Sequence, residues 1–229
     1  MTVDCLRNNI AGSIILCNKL NSCGSEWNGT LWRRIPAINI DKFHALSSDH
    51  RPLVQARLAY DEEGIAACFH VEDRYVVCRN TQFQSSVCQD SCVEFFFQPG
   101  GADGYFNFEV NCGGTLHASY IRNHLRLASG FADWTPLKPK HGEQVRIYTD
   151  LPEVIEPEIS QPLAWDLAFF VPFRILAKYC GMAAYRREDW RGNLYKCADK
   201  SSHPHWAAWK AVEPLNFHQP ELFGKLLFT

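Results

Sequence analysis

The chain has 229 residues, and its 23 Lys and Arg nearly cancel its 25 Asp and Glu, for a formal net charge of −2. That balance excludes the basic excess that a nucleic-acid or anionic-membrane partner requires, so neither is expected. Hydrophobic residues make up 46%, enough for a sizeable core, yet no apolar run approaches the length of a bilayer-spanning helix.

The first fifty residues carry few strand signals. The best leader candidate, Ile10 to Cys17, is very short and follows Arg7 and two Asn. The segment therefore reads as mature protein, and the expected location is the cytoplasm. Residues 1–34 are expected to wrap a single domain that spans 1–229. Leu53 to Tyr60 alternates as a strand, Asp61-Glu62-Glu63-Gly64 is turn chemistry, and Ile65 to Val71 returns. Ser91 to Gln98 and Tyr105 to Asn111 form a second hairpin around a Pro- and Gly-rich loop. Thr115 to Tyr120, Val145 to Tyr148 and Leu163 to Phe170 follow, within and around a connection rich in Pro and charge from Lys138 to Pro162. Pro172 opens a short helix that ends near Gly181. Asn193 to Cys197 and Lys225 to Phe228 complete the set. Short alternating strands with regular turn signals predict an all-β antiparallel sandwich with one short helix and long connecting loops.

The ten cysteines admit two readings, five disulfides or free thiols. Cys68, Cys78, Cys92 and Cys112 sit inside apparent strands, where a small thiol packs well. There is no CxxC pair and no zinc-ligand spacing. Free buried thiols in a reducing compartment are expected.

The hairpin poses the functional question. If Gln98 pairs with Tyr105, then Phe96 faces Asn107, Glu94 faces Glu109 and Cys92 faces Asn111, all on one face. Phe95, Phe97, Phe106, Phe108 and Val110 then share the core face. Directly opposed residues have Cβ atoms about 5 Å apart, and like charges there are destabilising. An Arg or Lys partner, a bound cation, a shared proton or a polyhydroxylated ligand would offset the repulsion. Three readings remain open: a sugar-binding face, a catalytic pair of the glycosidase kind, and a structural pair neutralised by arginines.

Asp90-Ser91-Cys92-Val93-Glu94-Phe95-Phe96 and Tyr105-Phe106-Asn107-Phe108-Glu109-Val110-Asn111 resemble the paired central strands of the family 9 carbohydrate-binding modules. Tyr60-Asp61-Glu62-Glu63-Gly64-Ile65, Val71-Glu72-Asp73 and the stretch from Trp165 to Phe173 match further segments in order. So do Trp190-Arg191-Gly192-Asn193-Leu194-Tyr195 and the run from Phe217 to Leu226. The resemblance spans roughly residues 35 to 229. It implies a β-sandwich related to immunoglobulin-like folds that binds sugars at glycan ends between two tryptophans. By position it implies Glu94 as a binding carboxylate, Asn111 as a binding amide and Trp209 as one clamp ring. Glu109 stands where the best-known modules have a basic residue. Ser85-Ser86-Val87-Cys88 offers no second clamp aromatic, which leaves Phe83 or Trp206 to supply it.

The expected function is a stand-alone, non-catalytic module that binds a mono- or oligosaccharide through Glu94, Glu109, Asn111, Trp209 and Asn107 on a concave polar sheet face. The alternative is an O-glycosyl hydrolase using Glu94 and Glu109 as its two carboxylates. A third reading is an interaction sandwich, with a homo-oligomer or a partner enzyme covering that face. No cofactor is required. Some family members carry structural calcium, and here Asp61, Glu63 and Asp73 are the weak candidates. A solvated acidic turn is the competing reading for that hairpin. His203-Pro204-His205 lacks a third metal ligand and reads as a loop.

Overall fold

The computed structural model describes residues 12–17, 20, 24–128 and 130–229. The expected period-two segments fold as strands with nearly the expected bounds. They are β4 (Leu53–Tyr60), β5 (Gly64–Asp73), β7 (Cys92–Gln98), β8 (Tyr105–Asn111), β11 (Arg146–Thr149), β13 (Leu163–Pro172), β14 (Trp190–Cys197) and β16 (Gly224–Phe228). Between them lie β6 (Val76–Cys78), β12 (Ile155–Ile159) and β15 (Trp206–Ala208). β9 (Leu116–Leu127) runs well beyond the expected Tyr120 and turns back as β10 (Gly130–Pro136). From Arg122 onward the extra length is largely exposed on both sides, so no buried face marks it.

Among the described residues two α-helices form rather than one: α1 (Pro139–Gly142) within the 138–162 connection, and α2 (Phe173–Cys180). Pro172 precedes α2, and Gly181 at φ +60° ends it, the left-handed stop that glycine adopts without strain.

The expected wrapping segment, 1–34, contributes one strand, and the residues just after it contribute two more. β1 (Gly12–Leu16), β2 (Ile38–Asn39) and β3 (Lys42–Phe43) all come from the first fifty residues; residues 1–11 lie outside the described part. β1 runs parallel to both β16 and β4, so the fold is mixed rather than purely antiparallel. Hydrogen bonding follows the order β10-β9-β8-β7-β14-β16-β1-β4-β5-β13-β11. This sheet closes over itself as a β-sandwich, with β1 and β16 joining the two layers.

Burial of aromatic rings holds the layers together. Phe97 stacks on Phe108 and Trp190 at 5.7 and 5.5 Å, and Phe108 meets Phe169 of the other layer at 6.2 Å. Phe95, Phe106, Val93 and Val110 join the same core. The opposite face of β7 and β8 is covered as well. Phe96, Tyr105, Ile121, Tyr195, Ala208, Val212 and Phe223 form a second apolar cluster beneath the C-terminal segment. Polar residues on that face are therefore buried, not solvated.

The layers are also pinned electrostatically. Lys196 points inward from β14, and its ammonium lies 3.4 Å from Asp73 at the end of β5, both fully buried as side chains. Lys196 Nζ also donates to the Cys197 carbonyl at 3.1 Å and to His205 Nε2 at 2.8 Å. His205 Nδ1 donates to the His203 carbonyl at 2.9 Å, which fixes the tautomer that leaves Nε2 as the acceptor. Asp73 Oδ1 accepts from His50 Nε2 at 2.7 Å. Burial pushes the Asp73 carboxyl up, but Lys196, His50 and the Arg74 amide outweigh it and hold it well below the usual range.

Candidate carbohydrate site

The register places Cys92 opposite Asn111, Glu94 opposite Glu109 and Phe96 opposite Asn107, the pairing expected from the sequence. Neighbouring strands extend the rows. Glu109 lies beside His117 of β9, and Glu94 beside Tyr195 of β14. Cys197 lies between Cys92 and Trp206 of β15. A cavity of about 450 Å³ opens over this face. Glu94, Asn107 and Glu109 form its floor, with Asp199 and Arg126 at the sides and Trp206, Phe131 and Phe217 as aromatic walls.

Each wall is fixed in place. Trp206 Nε1 donates to Asp199 Oδ1 at 2.7 Å. Phe217 stacks on Tyr195 with ring centres 4.0 Å apart. Arg126 lies over the Phe131 ring at 4.0 Å, so the β9–β10 hairpin delivers a cation and a ring together. His218 at the rim accepts or donates at Nδ1 with the Tyr105 hydroxyl, 2.9 Å away.

The floor is strained electrostatically. Glu94 is 2% exposed and Glu109 8%. Cys197 Sγ donates to Glu94 Oε1 at 3.1 Å, and Asn107 Nδ2 to Glu109 Oε1 at 2.8 Å. Among the described residues neither carboxylate forms an ion pair. Burial first, and then the charge of Glu109, raise Glu94 well above the usual carboxylate range. Burial also raises Glu109, against His117 and the Asn107 hydrogen bond. The pair therefore favours holding a proton where an isolated surface pair would hold none.

A raised carboxyl contributes stability below its ordinary range, which is lost as pH rises through the folded value. Glu94→Gln keeps the oxygen that accepts from Cys197 and carries no charge. The variant is expected to gain in melting temperature over the native chain at pH 9 relative to pH 5. Thermal melts at the two pH values check this, and a constant gap would refute the strained pair.

The remaining expected residues fall elsewhere. Asn111 is fully buried and structural: its Nδ2 donates to Asp90 Oδ2 and to the Asn80 carbonyl, each at 2.8 Å, and its Oδ1 accepts from the Thr115 amide at 2.8 Å. Trp209 does not line the cavity. Its ring packs on the inter-layer core, against Gly12 and Gly224, where an added Cβ would meet it at 3.1 and 2.7 Å. The reason is strand periodicity: residues three apart on a strand point to opposite faces, so only one of Trp206 and Trp209 can face the cavity. Phe83 lines a separate cavity with Gly142 and Ile147. Trp206 is thus the indole at the site.

The calcium candidates are also dispersed. Asp61 Oδ1 accepts from the Glu63 and Gly64 amides at 2.8 and 2.9 Å, and its Oδ2 from the Leu20 amide at 2.8 Å. Asp73 lies at the far end of β5, paired with Lys196. The three cannot share one ion. His203 stacks on Tyr75 while His205 turns inward, so that pair does not converge either.

The model of carbohydrate-binding family 9 matches residues 30–228. The chain belongs to carbohydrate-binding family 9. It is a module of that type, and the matched stretch runs from before β2 through β16. A Bacteroides uniformis protein for which carbohydrate binding has been suggested has a similar structure, with 24% identity, a TM-score of 0.77, and coverage of 96% of this chain and 100% of that one. A family 9 module from Caldicellulosiruptor kristjanssonii in complex with glucose has 11% identity and a TM-score of 0.60, covering 95% of each chain. A family 9 module from the same organism in complex with cellotriose has 12% identity and a TM-score of 0.61, covering 95% of this chain and 94% of that one. At these identities the likeness concerns the fold. No curated protein matches the chain by sequence.

Sequence reasoning missed Asp199, Arg126, Phe131, Phe217 and His218. Only the spacing of Trp206 and Trp209 held a usable signal, once β15 is recognised as a strand.

Proposed function

We propose that this family 9 module binds a mono- or short oligosaccharide, at a glycan end, in the cavity over β7 and β8. One observation carries the reading: two carboxylates and an amide stand side by side on the floor of a cavity walled by Trp206, Phe131 and Phe217. Sugar hydroxyls donate to carboxylates and accept from amides and Arg126. Their C–H faces suit an indole that is already fixed in place. The relatives with glucose and cellotriose make β-glucosides the first ligands to try. The hydroxyls of the bound sugar offset the repulsion between Glu94 and Glu109.

Calorimetric titration with glucose, cellotriose and a wider sugar panel tests this. Saturable heat is expected, with and without a calcium chelator. Trp206→Ala and Glu94→Gln are each expected to weaken binding at least tenfold, about 1.4 kcal/mol. Trp209→Ala is expected to lower the melting temperature while the remaining folded protein still binds. No heat with any sugar would sink the reading.

The raised Glu94 beside Glu109 is also what a glycosidase acid requires. Turnover of aryl glycosides that vanishes in Glu94→Gln would favour that second reading over simple binding.

A further inference from the structure

The deep end of the cavity floor holds chemistry that a sugar does not need. Cys92 and Cys197 face each other across β7 and β14, and Glu94 lies two residues along from Cys92 on the same face. Their sulfur and carboxylate donors all lie within 4.8 Å of one another, and all three residues are buried. We propose that Cys92, Cys197 and Glu94 form a binding site for a thiophilic divalent cation, zinc foremost, at the base of the cavity.

Two thiolates and a carboxylate suit zinc, which takes sulfur at about 2.3 Å and carboxylate oxygen at about 2.0–2.2 Å in a tetrahedron. Donors around such an ion stand about 3.5–4 Å apart, so small side-chain rotations close the set. The same donors reject calcium, which takes only hard oxygen ligands. Each thiol gives its proton to solvent as its sulfur bonds the ion. Electrostatics favour a cation here. Glu109 and Asp199 add negative charge around Glu94. Lys196, the basic residue between Tyr195 and Cys197, pairs with Asp73 on the other face, and its charge offsets only part of that negative field at Glu94 and Cys92. Glu94 and Cys197 line the cavity while Cys92 lies behind them. A fourth ligand, a water or a hydroxyl, can therefore reach the ion from the cavity side.

A buried Cys pair also serves as ordinary strand packing. What separates this pair from Cys78 and Cys112, whose thiols also interact, is the carboxylate beside it and the open cavity above it. The inference does not depend on sugar binding.

The full chain, metal-free and kept reduced with a non-thiol reductant, is titrated with zinc against a chromophoric chelator and with cobalt by absorbance, with no sugar present. One equivalent is expected, with a thiolate-to-cobalt charge-transfer band in the near ultraviolet. Cys92→Ser, Cys197→Ser and Glu94→Gln are each expected to weaken zinc at least tenfold, while Cys78→Ser and Cys180→Ser leave affinity unchanged. The cobalt band of the native chain needs no variant to fold. Its absence, an unchanged affinity in folded Cys197→Ser, or a loss confined to Cys78→Ser would overturn the proposal. Because no sugar is present, any of these results leaves the carbohydrate reading standing.

Discussion

Lys196→Met is expected to cost about 3–5 kcal/mol, the penalty for stranding one member of a buried ion pair. Asp73 would be left between the layers with His50 and the Arg74 amide as its polar contacts. His205 Nε2 would lose its donor. For a chain of this length the loss corresponds to a fall in melting temperature of roughly 10 °C. The cost arises from desolvation of an unpaired charge, so removing both charges should restore much of it. Lys196→Met with Asp73→Leu is expected to be more stable than Lys196→Met alone, a coupling that a double-mutant cycle measures directly. Urea melts of the four chains at neutral pH give the result. A single-variant loss under about 1 kcal/mol would show that the pair holds the layers no better than apolar packing does.

The sequence revealed this part of the fold unevenly, for physical reasons. β8 was legible to the residue and β7 to within one, because Phe106, Phe108 and Val110 alternate with Asn107 and Glu109, and a one-residue slip would turn those side chains away from the core. The Glu94–Glu109 opposition follows from that register. Lys196 was not legible. It sits in a strand between Tyr195 and Cys197, and nothing local marks a lysine that reaches across to another layer.

The site was legible at its floor and not at its walls. Glu94, Glu109 and Asn107 belong to the strands that set the register. Asp199, Phe217 and His218 come from irregular segments after β14, and Arg126 and Phe131 from a hairpin with register shifts. The irregular segments have no periodicity to read, and the hairpin is exposed and shifted in register, so the direction of these side chains depends on tertiary packing. Trp209 shows the cost of reading position without periodicity. Family position pointed to it, but the alternation of Trp206, Ala207, Ala208 and Trp209 puts Trp206 over the cavity and the half-buried Trp209 against the core on the other side.

Acid should unfold the protein through its histidines before its ion pairs fail. His205 and His218 are each held down to about 3. Burial is the first cause for both, followed by Lys196 for His205 and by Arg126 and His117 for His218. The unfolded chain takes up a proton at each near the ordinary value of about 6.5. The stability that each neutral ring represents is complete above about 6.5 and is lost progressively as pH falls toward 3. The slope is roughly 1.4 kcal/mol per pH unit for each histidine. The raised carboxyls Glu94, Glu109 and Asp199 act oppositely at higher pH, since the folded state holds their protons longer. A variant comparison cancels them. His218→Asn keeps a polar atom near the position of Nδ1 to meet the Tyr105 hydroxyl, and cannot take up the proton. Its urea midpoint is expected to fall below that of the native chain at pH 7 and to approach or pass it by pH 4.5, because one of the two proton-linked losses is gone. Parallel dependence on pH in the two proteins would mean that His218 charges inside the folded state. The Arg126 side of the cavity would then carry an extra positive charge in acid.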